Sequence, residues 1–308
     1  MKLAASLKRP EYVFRPSQII RRMIREFSAK ASDYETVRLP WGLPIRFQPN
    51  EALGSGIRRL GILELPTSEC ICRLLDPGEF AVDVGANIGH MTSIMAMRAG
   101  PSGQVMVFEP HPVLFSELQY NISTWEKNPH AAPILASKMA LSDHPGSAQL
   151  MVPADFEGNH GVCSLESNGE ANPEAKHIEV EVTTLSAMVD KGKQIGFLKI
   201  DVEGHELQVL LGAQDQLASG SIRDILFEEF RALPTPVTKL LQDNGYTIYR
   251  IVLGTFWGPV LAPIETYQAP ADEKDSPNYL ATRDPGRLLN RMSKRGWRVY
   301  SNRTSILK

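Results

Sequence analysis

Apolar residues in the middle of the chain come in short unbroken runs. Phe80–Val84 and residues 105–108, 197–200 and 222–227 are each bounded by glycine or charge, and the stretches between them are long enough for a helix. Strands covered by helices on both faces read this way, because the polar alternation of a half-exposed sheet disappears. The spacing predicts helices over 89–99, Pro112–Trp125, 206–218 and 236–244, and further strands at Thr247–Val252 and Asn278–Thr282. An alternating strand–helix order of this length predicts an α/β doubly wound fold.

Before this core, residues 17–31 place Ile19, Ile20, Met23, Ile24 and Phe27 on one helical face, with Arg21, Arg22 and Arg25 opposite. An amphipathic helix follows, expected to pack on the body, with a membrane-surface role as the alternative. Residues 35–47 alternate around Pro40-Trp41-Gly42, the pattern of a hairpin, and residues 62–75 turn helical in their second half before Asp76-Pro77-Gly78 ends the run. Residues 153–177 break the rhythm with five acids and several Gly and Asn, and are expected to form an exposed loop that serves as a lid or binding element. The chain divides into a basic extension with helix and hairpin (1–59), a core domain (60–285) and a basic tail (286–308).

At 308 residues and 43% hydrophobic content the chain can build a full core without staples. The three cysteines form no disulfide framework, and Cys70-Ile71-Cys72 lacks the gap of a zinc or redox pair, so a reducing cytoplasmic location is expected. No run approaches the length of a membrane span. The net charge of −2 hides an asymmetry: residues 1–30 carry +6, residues 283–308 carry +7, and the body between them −15. Basic ends can meet nucleic acid or anionic lipid, but only 7% of residues are aromatic and the acidic body would repel a phosphate backbone. A nucleic-acid partner is therefore not expected, and the ends are read as docking on the body or as solvated faces. Oligomeric state has no signature here.

Chemistry concentrates where strands end. Val82-Asp83-Val84-Gly85-Ala86-Asn87-Ile88-Gly89 joins the first core strand to its helix, the place where such sheets hold nucleotides. Gly85 can take a backbone shape closed to other residues, and Gly89 is expected to let the helix start approach a ligand. The dinucleotide fingerprint is absent, since Asn87 stands where its second glycine belongs. A carboxylate at Asp83 facing the mouth of the strand would oppose a diphosphate and favour the sulfonium and ammonium of S-adenosylmethionine. Glu109, twenty residues beyond Gly89 at the end of the second strand, suits two ribose hydroxyls. Asp83, Gly85, Gly89 and Glu109 are accordingly expected at the cofactor.

Leu198-Lys199-Ile200-Asp201-Val202-Glu203-Gly204-His205-Glu206 places ionisable groups at another strand's carboxyl end. Asp201 is expected beside the reacting centre. His205 is a candidate base, as is Asp201 or Glu228 at the end of the next strand, and these acids could instead hold a divalent cation. Glu203 and, on the long loop, His160 are candidate substrate contacts. Glu206 reads equally well as a helix-start charge.

These blocks, with Phe108-Glu109-Pro110, Val209-Leu210-Leu211-Gly212-Ala213, Thr183-Thr184-Leu185, Leu226-Phe227-Glu228, Gly245-Tyr246 and Asn278-Tyr279-Leu280-Ala281, resemble the FkbM family of S-adenosylmethionine-dependent methyltransferases over about residues 60–285. The resemblance implies a Rossmann-like class I methyltransferase fold, a seven-stranded mostly parallel sheet with an antiparallel last strand, and O-methylation of a small-molecule or glycan acceptor. It also implies that Asp83, Gly85, Ala86, Asn87, Gly89 and Glu109 face the cofactor and that Asp201 and the acids after it line the reaction centre. Ser186 departs from the family, which often has an acid there. Two rival readings are a non-catalytic nucleoside-binding protein that recruits partners and a nicotinamide-dependent oxidoreductase, the latter opposed by Asp83 and Asn87.

Overall fold

The computed structural model describes residues 10–14, 33–153, 156, 158–159, 163–165, 175–254, 257–268 and 277–300. The expected amphipathic helix over 17–31 and His160 lie outside them. The predicted hairpin is β1 (Glu35–Arg38) and β2 (Pro44–Phe47), paired antiparallel. Its apolar residues, Trp41 and Phe47 among them, are buried. It is followed by α1 (Ala52–Leu60) and α2 (Leu65–Leu74).

The core then runs β3 (Phe80–Val84), α3 (His90–Ala99), β4 (Gln104–Phe108), α4 (Pro112–Trp125) and β5 (Ile134–Ser137). An insertion follows, made of β6 (Ala140–Leu141), β7 (Gly146–Val152), β8 (Ser164–Leu165) and β9 (Lys176–Thr183). The chain returns as β10 (Ile195–Ile200), α5 (Glu206–Leu211), α6 (Gln214–Ser219), β11 (Ile222–Glu228), α7 (Pro236–Asp243), β12 (Thr247–Val252), β13 (Val260–Pro263), β14 (Asn278–Thr282) and α8 (Pro285–Met292). The main sheet has the order β13-β12-β14-β11-β10-β3-β4-β5. Strands β5, β4, β3, β10 and β11 are parallel neighbours, and β14 lies antiparallel between β11 and β12. Every residue of β3 and β10 is buried, which explains their unbroken apolar runs. Strand order reverses between β3 and β10, so a crevice opens above their carboxyl ends.

Three features differ from the sequence expectation. The sheet has eight strands rather than seven, because β13 adds an antiparallel edge. That strand ends in Pro263, a residue tolerated at an edge, and its short Val-Leu-Ala-Pro run carries no alternation to betray it. The helix expected over 206–218 is two, broken at Gly212-Ala213, where a Cβ on Gly212 would overlap the Ser142 carbonyl. The expected loop of 153–177 connects a sheet: β7 pairs along its whole length with β9, and β8 adds to β7. The basic residues near the C-terminus dock on the acidic body. Arg287 meets Asp76 and Asp224 at 2.9 and 3.0 Å, Arg291 meets Asp76 at 2.6 Å, and Glu69 accepts from the backbone of Arg298 and Val299.

Candidate active site

The floor of the crevice is made where two loops touch. Gly85 has φ +75, and a Cβ there would overlap the backbone carbonyl of Asp201, so only glycine lets the β3 loop lie against the β10 loop. Gly89 differs from expectation. A Cβ on it would run into Leu118 and Trp125, and it does not line the cavity. It is required for packing α3 against α4, not for approach to a ligand.

Asp83 is likewise corrected. It is fully buried beneath the floor and absent from the cavity lining. One carboxylate oxygen accepts from Thr92 Oγ1 at 2.6 Å and the other lies 3.3 Å from Lys199 Nζ. Lys199 Nζ also stands 3.2 Å from Asp201 Oδ2 and donates to the Gly85 carbonyl at 3.2 Å. Despite burial, the carboxylates of Asp201 and Asp83 hold this ammonium protonated, raising its pKa above the ordinary lysine value. Asp83 therefore acts through Lys199 on the site's scaffold. The sequence placed its charge at the mouth because strand position alone does not say which face an interior residue presents.

Glu109 stands where expected, at the end of β4 and in the cavity wall. Its carboxylate accepts from the backbone N–H of Asn87 at 2.8 Å and of His111 at 2.9 Å, which fixes the β3 loop to the β4 loop. Burial raises its pKa to about 7 even against those two hydrogen bonds. Asn87 holds φ +52 and its side chain accepts from Ile88 N–H at 2.8 Å.

Above the floor lies a cavity of about 550 Å³. Glu64, Asp201, Glu203, His205 and Glu228 line it together, as does Phe230, which is 64% exposed. Its apolar lining includes Leu53, Leu114, Met139, Leu150 and Leu165. The insertion and the N-terminal extension form one side of it: Ala52 N–H donates to Gly158 O at 3.0 Å, and Phe156 packs on the His111 ring at 4.4 Å between centroids. Glu64, Asn87 and Glu203 all line this cavity and are the non-glycine residues with positive φ among the described residues. Such torsions cluster at functional sites.

Burial pushes Glu228 upward, reinforced by repulsion from Asp201, Glu64 and Glu203, and it pushes Glu203 up to about 7. His205 is held below the ordinary imidazole value by burial, and its Nε2 is 3.0 Å from Ser142 Oγ. Oxygens of Asp201, Glu203 and Glu228 lie within 4.8 Å of one another, a spacing compatible with a shared divalent cation. Glu206 faces elsewhere, accepting from the backbone N–H of Val202 and Gly204, so it is a helix-start carboxylate. Lys199, Glu64, His90 and Phe230 were not anticipated as site residues. Lys199 lies inside an apolar run, and Glu64 and His90 belong to elements whose approach the motif spacing does not encode.

The residues fit S-adenosylmethionine. The wall is rich in carboxylates suited to a cationic ligand, Gly85 is a cradle any side chain would fill, and Nδ1 of the buried His90 has no hydrogen-bond partner among the described residues. Fold and site define an S-adenosylmethionine-dependent methyltransferase. The Methyltransferase FkbM domain matches residues 83–248, and the chain belongs to that family. It is 30% identical over 244 residues to the 31-O-demethyl-FK506 methyltransferase FkbM of Streptomyces tacrolimicus, covering 70% of this chain and 89% of that one. It is 31% identical over 165 residues to the hexuronic acid methyltransferase AglP of Haloferax volcanii, covering 52% and 60% respectively. Among solved structures, the FkbM methyltransferase of Methylobacillus flagellatus KT aligns at TM-score 0.41 and 16% identity over 67% of this chain and 44% of that one. Among the described residues no helix is long and apolar enough to cross a membrane.

Proposed function

We propose that the protein is an O-methyltransferase acting on a hydroxyl of a sugar, glycolipid or secondary metabolite. The observation that carries this reading is the convergence of Asp201, Glu203, His205 and Glu228 in the same cavity as the Gly85–Asn87 turn and Glu109. The name of the Streptomyces relative specifies an oxygen as its site of methylation, which supports the same reaction class.

When bound, S-adenosylmethionine supplies an electrophilic methyl group. Ala86, Asn87 and Glu109 would hold it, with Glu109 offering its remaining lone pairs to ribose hydroxyls. The chain's remaining task is to orient the acceptor hydroxyl and remove its proton. His205 is suited to the second role, because burial lowers its pKa and so favours the neutral imidazole, and Ser142 fixes its ring. Asp201, with one oxygen tied to Lys199, has another free to orient the hydroxyl. Glu203 and Glu228 border the acceptor, and with Asp201 they are the residues that would hold a divalent cation. Incubation of cell extracts with a methyl-labelled donor, followed by mass spectrometry, tests the proposal. A labelled methyl ether is the expected product, and label on nitrogen, on carbon or on nothing counts against it.

A further inference from the structure

His205 takes its outer partners from the insertion. Ser142 follows β6 and is 4% exposed, and its backbone is gripped from two sides: its N–H donates to Thr183 O at 2.8 Å, and a Cβ on Gly212 would overlap its carbonyl. That grip sets its hydroxyl 3.0 Å from His205 Nε2. The same hydroxyl lies 3.1 Å from Asp143 Oδ1, and that oxygen is also 2.6 Å from His144 Nδ1. The four side chains form one line of contacts from the cavity wall, where His205 stands, to the exposed Asp143 and His144.

The direction of each hydrogen bond in this line follows from its outer end. The hydrogen bond from His144, which outweighs burial, and the one from Ser142 hold the Asp143 carboxyl below its ordinary value, so it is ionised and has only lone pairs to offer. Ser142 must give its hydroxyl proton to that carboxylate. Toward His205 it can then only accept, which puts a proton on Nε2. In the neutral ring Nδ1 is left as the bare nitrogen, and it has no hydrogen-bond partner among the described residues.

We infer that Ser142 and Asp143 are positioning residues: they hold His205 with Nε2–H turned toward the insertion, so that Nδ1 is the atom that receives the acceptor's proton. The inference rests on the methyltransferase reading above, in which His205 is the base, and adds which atom acts and what orients it. In the transfer, the hydroxyl oxygen bonds to the methyl carbon, its proton goes to Nδ1, and the electron pair of the broken carbon–sulfur bond stays on sulfur. The positive charge lost at sulfur ends on the imidazolium. A ring held in the other tautomer would present a proton to the hydroxyl where a lone pair is needed.

The test is read on the histidine ring nitrogens by NMR, using the full chain with isotope-labelled histidine at about pH 8, above the usual imidazole range. His205→Gln identifies the signals. Expected for the wild type are a protonated Nε2 whose proton exchanges slowly enough to be seen, and a bare Nδ1. Ser142→Ala should lose that visible proton to solvent exchange. Asp143→Ala, a change at an exposed position that leaves the core intact, frees the Ser142 hydroxyl to donate, so a population with the proton on Nδ1 should appear. Ser142→Thr keeps the hydroxyl and should restore the wild-type pattern. In parallel, transfer of labelled methyl into the ether formed from cell extract should fall at least about tenfold in Ser142→Ala, a part of the roughly 10²–10⁴-fold that a positioned base supplies, with the Kd for S-adenosylhomocysteine unchanged. A wild-type ring with its proton on Nδ1, ring signals unaltered in Ser142→Ala and Asp143→Ala, or undiminished transfer in Ser142→Ala overturns the inference. Full transfer by His205→Gln would instead remove the base from the proposed function, so the two failures are distinguishable.

Discussion

Lys199 stands 3.3 Å from Asp83 and 3.2 Å from Asp201, so one buried ammonium fastens the end of β3 to the end of β10. Removing one partner of a buried pair strands the other charge, at a cost of about 3–5 kcal/mol. Lys199→Met should therefore lower unfolding free energy by that amount in urea titrations, and Asp83→Asn combined with Lys199→Met should recover part of it. A single-variant loss below about 1 kcal/mol would show that the three groups do not act as a unit.

Asp83 and Glu109 should separate in calorimetry. Above pH 7, where its carboxyl is ionised, Glu109→Gln removes a charged acceptor in the cavity wall and should weaken S-adenosylmethionine binding by about 1.5–3 kcal/mol. Asp83→Asn should affect stability first, with a smaller loss of cofactor affinity transmitted through Lys199. Equal affinity losses with unchanged stability would return Asp83 to direct contact.

Gly85→Ala places a Cβ against the Asp201 carbonyl at φ +75. The β3 and β10 loops must separate, and the expected result is loss of measurable cofactor binding together with a lower melting temperature. Gly89→Ala should lower the melting temperature through Leu118 and Trp125 while the variant that remains folded still binds the cofactor.

His205→Ala should reduce turnover by about 10²–10⁴-fold, the usual scale of a lost general base, with the cofactor Kd little changed. Burial lowers its pKa below that of a solvent-exposed histidine, which favours the neutral imidazole. The acidic limb of the wild-type rate should consequently lie at lower pH than the titration of an exposed histidine, and should be lost in the variant. A limb centred above pH 7 that persists in the variant would assign the proton to Glu203.

Glu109 and Glu203 each carry folded values of about 7 against an ordinary 4.5. A raised acid binds more protons folded than unfolded, so its contribution to stability is complete below 4.5 and is lost as pH rises through 7. The ligand-free protein should melt higher at about pH 5.5 than at about pH 8 by this linkage, and Glu203→Gln should flatten the difference. A wild-type profile that rises with pH across this window would contradict the raised values.

Much of the core was legible because burial on both faces leaves an unmistakable apolar run. Pro112–Trp125, Thr247–Val252 and Asn278–Thr282 fall where the pattern put them. The sheet of β7 and β9 was not legible, since its strands pair across a long connection and alternate only weakly, with exposed residues at one end. In the site, Asp201, His205, Glu228, Ala86, Asn87 and Glu109 could be placed because strand-end position dictates proximity to the crevice. Glu64 could not, because it comes from the turn before α2, and no local rule brings that turn to β10. Gly89 was recognised by position but assigned the wrong neighbour, since the absence of a side chain serves helix packing as well as ligand access.

Glu64, Asn87 and Glu203 occupy a torsional basin in which glycine would rest at lower energy, by roughly 1–2 kcal/mol at the two glutamates and by less at Asn87. Breeding this protein purely for heat resistance would thus tend to erase all three, leaving a sturdier molecule with a blunted mouth. Ranking variants by how long they survive boiling would then select against the very residues that line the cavity.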